Sequence, residues 1–361
     1  MTRLAFSRSG TAYAVARMLP FLIIAASIVI DVATPDNNRY DRFLFAAPAL
    51  AAIAWGPAAT LGIGLLTMGA SFGLATSRTD FQVVSGPATL YALLLVTLVS
   101  AWSSSLRLRH ERQLKRMGSI AEAAQHALLR PMPSRLGPVD FHLLYEASAQ
   151  GARVGGDFYK ALPAPDGVRL MVGDVQGKGL GAVETASLLL GSFRESAYTA
   201  GDLAEIARRL DTTMRRYARM CPDSEAADRF ATVLLVEFPA DEPVARILSC
   251  GHPAPLVQHG TAVTTVPIPS PALPVNLAGF ENEEFDIVDI PFAPDDRLLL
   301  FTDGVSETRD AAGEFYPLEE RVAAWSLRPA DRVLPLLRDD LARFAAGKLG
   351  DDTTAILAVR H

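Results

Sequence analysis

The chain of 361 residues carries 34 Lys and Arg against 40 Asp and Glu, a formal net charge of −6, and half of its residues are hydrophobic. This acidic balance gives no reason to expect nucleic acid as a partner. The two cysteines, Cys221 and Cys250, lack CxxC spacing and a histidine cluster, which excludes a disulfide framework and a zinc site and suits a reducing cytoplasm.

Mean hydropathy is +0.20, high for a soluble enzyme, and the excess lies in the first hundred residues. Three charge-free runs occur there, at 18–30, 43–75 and 81–106. A helix needs about 20 apolar residues to cross the hydrocarbon core. The middle run is too long for one crossing and carries Trp55-Gly56-Pro57, a turn signal, so four spans in a lipid bilayer are expected, with 43–55 the shortest. Arg3, Arg8 and Arg17 precede the first span, and Arg107, Arg109, Arg112, Lys115 and Arg116 follow the last. Positive-inside bias puts both ends in the cytoplasm, which requires an even number of spans and makes this a multi-pass protein of the cell membrane. A cleavable signal peptide is the alternative for the first run, but Ile28-Val29-Ile30 continues past Ala25-Ala26-Ser27 and further spans follow. Arg17, at an edge, is the one ionisable residue expected within the spans, so no ion pathway is indicated.

From 103 to 130 the chain turns basic and helix-friendly, with Leu106, Leu114, Met117, Ile120, Ala124 and Leu128 near helical spacing, ending before Pro131 and Pro133. Two readings stand equal: a spacer with a solvated face, and a signalling helix that pairs with its copy in a homodimer. The expected domains are therefore a membrane region at 1–106, a helical linker at 107–138 and a soluble domain at 139–361.

In the soluble part, strand-like runs at 168–172, 232–238, 245–250, 297–301 and 353–359 alternate with helix-like runs at 180–198, 202–219, 318–325 and 332–344. Asp174 and Asp303 each follow an apolar strand and stand beside glycine, and Asp351-Asp352 opens another. Asp157 follows Gly155-Gly156, which taken alone reads as a turn. Apolar strands belong in a packed core, so acids at several of their ends can be held rigidly around one point. Carboxylates without His or Cys suit hard cations, Mg²⁺ or Mn²⁺. Two such ions can share a water, lower its pKa and bind phosphoryl oxygens.

Five ordered motifs, Arg153-Val154-Gly155-Gly156-Asp157-Phe158-Tyr159, Gly173-Asp174-Val175-Gln176-Gly177-Lys178-Gly179, Gly251-His252-Pro253-Ala254-Pro255, Phe301-Thr302-Asp303-Gly304-Val305 and Asp351-Asp352-Thr353-Thr354, resemble the SpoIIE/RsbU branch of the PP2C-type serine/threonine phosphatases. Residues 127–133 resemble the lead-in to that domain, and the likeness covers roughly 120–361. It implies an α+β fold, a PP2C-like αββα sandwich of two β-sheets between helical layers, preceded here by an all-α transmembrane region. It also implies a centre of two divalent cations, Mn²⁺ or Mg²⁺. By motif position Asp174 would bridge both, the Val175 carbonyl would help one, Asp303 and Asp351 would complete the other, and Asp157 would be an accessory acid. The implied substrate is a phosphoserine or phosphothreonine on a small regulatory protein, typically an anti-sigma-factor antagonist. Lys160 stands where an acid commonly follows the Phe-Tyr pair, and Ser249-Cys250 where Asn-Ala is frequent. His252, beside Pro253 in an apolar context, reads as structural rather than as a general acid. A nucleotide cyclase would explain Gly-Gly-Asp but not the other motifs. A histidine-kinase-like sensor fits the layout, yet His110 and His126 lack an acceptor motif.

Overall fold

The computed structural model describes residues 10–34, 41–77, 85–129, 131–146, 155–277, 279–280, 284–346 and 350–361. Arg130, Arg153 and Val154 of the motifs lie outside them. The chain forms two compact units, Met1–Leu114 and Lys115–His361.

The first unit is helical: α1 (Gly10–Ala33), a 3₁₀ turn (Asp41–Phe45), α2 (Ala46–Ala54), α3 (Pro57–Ser77) and the start of α4 (Ser85–Leu128). Among the described residues, three helices are long and apolar enough to cross a membrane, over Ala14–Ala33, Pro57–Thr76 and Pro87–Gln113, whereas the apolar segment Arg42–Ala54 is shorter. Large apolar side chains such as Leu65, Leu95 and Trp102 face outward, as they do where the solvent is lipid. The first of these helices also takes in Asp31, which is buried and lies beyond the expected 18–30 run, so an acid does sit inside a candidate span. The break at Trp55 falls where the sequence placed a turn. Trp55 donates its indole N–H to the Arg17 carbonyl at 3.2 Å, and the Arg17 guanidinium lies 4.2 Å from its ring centroid. The Trp55 carbonyl accepts from Ser104 and Arg107 at 2.7 and 3.0 Å. Arg17, Trp55 and Arg107 thus meet at one end of this unit. No boundary separates the last long apolar helix from the expected linker: α4 is one helix of 44 residues.

The second unit holds β1 (Arg135–Leu136), β2 (Val139–Glu146), β3 (Phe158–Ala164), β4 (Gly167–Val175), α5 (Leu180–Thr199), α6 (Leu203–Met220), β5 (Ala231–Pro239), β6 (Val244–Cys250), β7 (Leu256–His259), β8 (Ala262–Thr265), β9 (Val288–Pro291), β10 (Arg297–Phe301), α7 (Asp303–Ser306), α8 (Leu318–Ala324), α9 (Ala330–Phe344) and β11 (Thr353–Arg360). Its two antiparallel sheets run β1-β2-β11-β10-β7-β8 and β3-β4-β5-β6-β9. Strand alternation sorts the side chains into layers. Leu170, Val172, Leu234 and Val236 of one sheet meet Leu298, Leu300, Ile356 and Ala358 of the other in the central core. Met171, Val233 and Leu235 point the opposite way, onto Leu189, Phe193 and Leu210 of α5 and α6. Leu299, Phe301 and Leu357 pack on Val322, Leu334 and Leu337 of α8 and α9. The result is the expected αββα sandwich.

An ion pair is buried in the α5 layer. Arg169 of β4 pairs at 2.8 Å with Glu237, its cross-strand neighbour on β5. It also donates to the carbonyls of Ala197 and Ala200 at the end of α5, satisfying groups that a helix C-terminus leaves open. Arg169→Ala strands Glu237 and those carbonyls. It is expected to destabilise the unit by about 3 kcal/mol, the low end for breaking a buried pair, because Arg246 still reaches Glu237 at 3.3 Å. A fall in the urea midpoint of the detergent-solubilised chain measures it.

Candidate active site

The acids singled out by sequence gather at one edge of the sandwich, where strands of both sheets end. Asp157 leads into β3, Asp174 is the penultimate residue of β4, Asp303 follows β10, and Asp351 and Asp352 precede β11. The two glycines before Asp157 have a steric reason. A Cβ at Gly155 would lie 1.6 Å from the Asp352 carboxylate, and one at Gly156 would lie 2.2 Å from the Val175 carbonyl and 2.5 Å from Asp174 Oδ1. Glycine is needed because the backbone is itself the floor on which these oxygens rest. The Val175 N–H in turn donates to the Gly156 carbonyl at 3.1 Å.

Asp157 is buried, and its Oδ2 accepts from Thr302 at 2.8 Å and Thr354 at 2.6 Å. Both threonines belong to the opposite sheet's side, so this carboxylate joins the two sheets. Burial pushes the Asp157 carboxyl well above its usual range; the two threonine hydrogen bonds oppose the shift, and the Asp352 and Asp303 charges add to it. Asp174 is raised further, first by burial, then by the charges of Asp157, Asp303 and Asp351, and by a hydrogen bond with Asp157. Asp303 is raised by burial and then by the Asp351 charge. Asp351 is exposed and pairs with Lys178 Nζ at 2.5 Å. Asp352 is the buried member of the pair, against Gly155.

Negative charge is thus concentrated beyond what Lys178 balances. Among the described residues no three His, Cys, Asp or Glu side chains stand at coordinating spacing; the carboxylates are neighbours that repel one another. The donor set nevertheless fits a hard cation in kind, being all oxygen, and carboxyls raised by burial and mutual repulsion are those that positive charge relieves. Beside them opens a cleft of about 300 Å³ lined by Asp303, Glu307, Arg309 and Asp351. Lys160 lies outside this group, on β3 opposite Met171.

Sequence reasoning missed several residues. Thr302 and Thr354 stand inside the quoted motifs, but nothing in their spacing says that they meet one acid. Gln125, near the end of α4, is buried, with Nε2 3.4 Å from the carbonyls of both Gly155 and Asp157. A glutamine on an otherwise apolar helical face is the signal that was available.

Known proteins resemble this chain in sequence and fold. The family model for Stage II sporulation protein E (SpoIIE) matches residues 164–361, more than half of the chain. The chain belongs to the SpoIIE family. The phosphoserine phosphatase RsbU of Bacillus subtilis (strain 168) is 21% identical over 252 residues, covering 69% of this chain and 72% of RsbU. The SiaA-PP2C domain of Pseudomonas aeruginosa superimposes with a TM-score of 0.54 at 18% identity, over 72% of this chain and 99% of that one. The RsbU and RsbW domains of a Mycobacterium tuberculosis protein give 0.51 at 24% identity, over 63% of this chain and 61% of theirs. These likenesses make the sandwich a PP2C fold, and this SpoIIE-family chain is a PP2C-type serine/threonine phosphatase of the SpoIIE/RsbU kind. The cyclase and kinase readings fall away, since Gly155-Gly156-Asp157 and the 174–179 box are both parts of one acid cluster.

Gly156→Ala tests the floor of the site. The added methyl displaces Asp174 and the Val175 carbonyl, and a shift of about 1 Å in a catalytic group costs on the order of 100-fold in rate. Phosphatase turnover on a model phosphate ester is expected to fall by about that factor, with the far-ultraviolet circular dichroism unchanged.

Proposed function

We propose that this SpoIIE-family protein is a membrane-anchored, metal-dependent phosphatase. Its substrate would be a phosphoserine or phosphothreonine on a small regulatory protein of the anti-sigma-factor-antagonist type. The observation that carries the reading is the set of buried, mutually repelling carboxylates beside an open cleft. Asp174, the Val175 carbonyl, Asp303 and Asp351 would hold two divalent cations of the Mg²⁺ or Mn²⁺ type, with Asp174 common to both and Asp157 assisting from behind. Such ions supply a water of lowered pKa and neutralise phosphoryl oxygens. The chain's own part is to hold the acids in place. Thr302 and Thr354 fix Asp157, Gly155 and Gly156 let the oxygens close in, and Lys178 keeps Asp351 paired and oriented. The names of the relatives support the substrate class: one is a phosphoserine phosphatase, and another joins RsbU to RsbW domains.

Four crossings with the phosphatase unit in the cytoplasm agree with the charge pattern and fit the meeting of Arg17, Trp55 and Arg107 at one end of the helical unit. The unbroken α4 favours the signalling reading of the linker, paired with its copy in a homodimer. A bias of about 1–3 kcal/mol between two arrangements changes activity about 5- to 150-fold.

Asp174→Asn keeps the shape and removes the charge. Turnover on a phosphoserine protein is expected to drop by orders of magnitude, with Mn²⁺ uptake lost and the melting temperature in EDTA no lower than wild type. Near-normal turnover in a folded variant would remove the bridging role. The linker has its own test. One residue inserted after Gly118 rotates the remainder of the helix by about 100°, while seven leave a residual of about 20°. Regulated activity is expected to be lost with one and kept with seven; equal behaviour makes α4 a tether.

A further inference from the structure

His252 is buried, and both of its ring nitrogens are engaged. Nε2 lies 3.1 Å from the Phe301 carbonyl, and Nδ1 lies 3.0 Å from Thr232 Oγ1. A carbonyl only accepts, so Nε2 carries the proton, and Nδ1 is left to accept from the threonine hydroxyl. Burial lowers the His252 pKa to about 4, which keeps the ring neutral.

The two partners sit next to the acids on different sheets. Thr232, on β5, is the cross-strand partner of Asp174. Phe301 ends β10 and is followed by Thr302, which bonds Asp157, and then by Asp303. One imidazole therefore spans from the strand end beside Asp174 to the strand end before Asp303. Its own backbone is braced as well. Ser249 Oγ donates to the His252 carbonyl at 2.9 Å and accepts from its N–H at 3.1 Å. Gly251, at φ +68°, makes the turn that sends the ring inward, and a Cβ there would meet the Pro274 ring at 2.7 Å. The Ser249 that departs from the usual family motif is thus part of the brace.

We propose that His252 is a positioning residue for the phosphatase reaction, a neutral clamp that fixes the spacing of Asp174 and Asp303 and so sets the affinity for divalent cations without touching substrate. The proposal rests on the reading of these acids as cation ligands. Packing alone would predict something different: loss of His252 would lower stability and leave cation affinity per folded molecule unchanged.

The experiment uses the full chain in detergent, with Mn²⁺ binding followed by titration calorimetry, turnover followed as a function of Mn²⁺, and melting followed in EDTA. His252→Phe fills the space but bonds neither partner. Thr232→Val removes one hydrogen bond, and His252→Gln offers an amide that donates to Phe301 and accepts from Thr232. Groups that orient metal ligands from behind are worth about 10- to 100-fold in affinity. Mn²⁺ binding should therefore weaken by about 10-fold or more in His252→Phe and by about 3-fold in Thr232→Val, and stay within about 3-fold in His252→Gln. Turnover at saturating Mn²⁺ should largely recover. Folded His252→Phe or Thr232→Val that binds Mn²⁺ like wild type overturns the clamp, as does His252→Gln that loses affinity as fully as His252→Phe. Should His252→Phe fail to fold, Thr232→Val decides. A wild-type chain that takes up no Mn²⁺ brings down the cation reading, and the clamp with it; wild-type uptake matched by the variants brings down the clamp alone.

Discussion

Carboxylates repel one another and resist burial, yet this fold gathers Asp157, Asp174 and Asp303 where two sheets end, and much of the soluble unit serves to hold them there. The constraint is electrostatic first. Burial raises all three carboxyls, and each charge makes the next harder to carry. A loop left to itself would splay such groups into water. Here the strands behind them are anchored in the central core through Leu170, Val172, Leu298 and Leu300, so the cost of crowding is met by apolar burial elsewhere. Asp157 shows the device most directly. Its two threonine bonds cross from one sheet to the other, so the group least welcome in the interior is also a rivet between the layers.

The same logic explains why the glycines matter. Gly155 and Gly156 give up side chains so that the oxygens of Asp352, Asp174 and Val175 can approach the backbone. The site is therefore built as much from absent atoms as from present ones. Around it stand neutral polar groups, Thr302, Thr354, Thr232, Gln125 and His252, which orient the acids or their strands without adding charge. Asp351 is paired with a cation, Lys178, while the buried Asp157 is held by neutral hydrogen bonds.

Helix α4 is continuous over 44 residues. It begins as an apolar segment long enough for a bilayer and continues to Gln125, whose amide lies near the carbonyls of Gly155 and Asp157. Near the end of the helix, two long hydrogen bonds join Gln125 to the backbone that carries Asp157.

The sequence by itself determined the division into an apolar part and a mixed strand-and-helix part and the positions of the acids, while the αββα layering was implied by the resemblance of its motifs. The apolar runs at 168–172 and 297–301, the turn at Trp55-Gly56-Pro57 and the helical runs at 180–198 and 202–219 are all encoded within a few neighbouring residues. Period and turn chemistry are local properties, so they are legible without a fold. Tertiary structure decided what meets what. Thr354 reaches Asp157 across 197 positions, Thr302 across 145 and His252 reaches Phe301 across 49. It also decided that Asp352 is the buried one of its pair while Asp351 faces Lys178, and that a segment of 3₁₀ and α-helix brings Trp55 to Arg17. Each of these depends on strand register and helix winding summed over the whole unit, and no short window of sequence contains that sum.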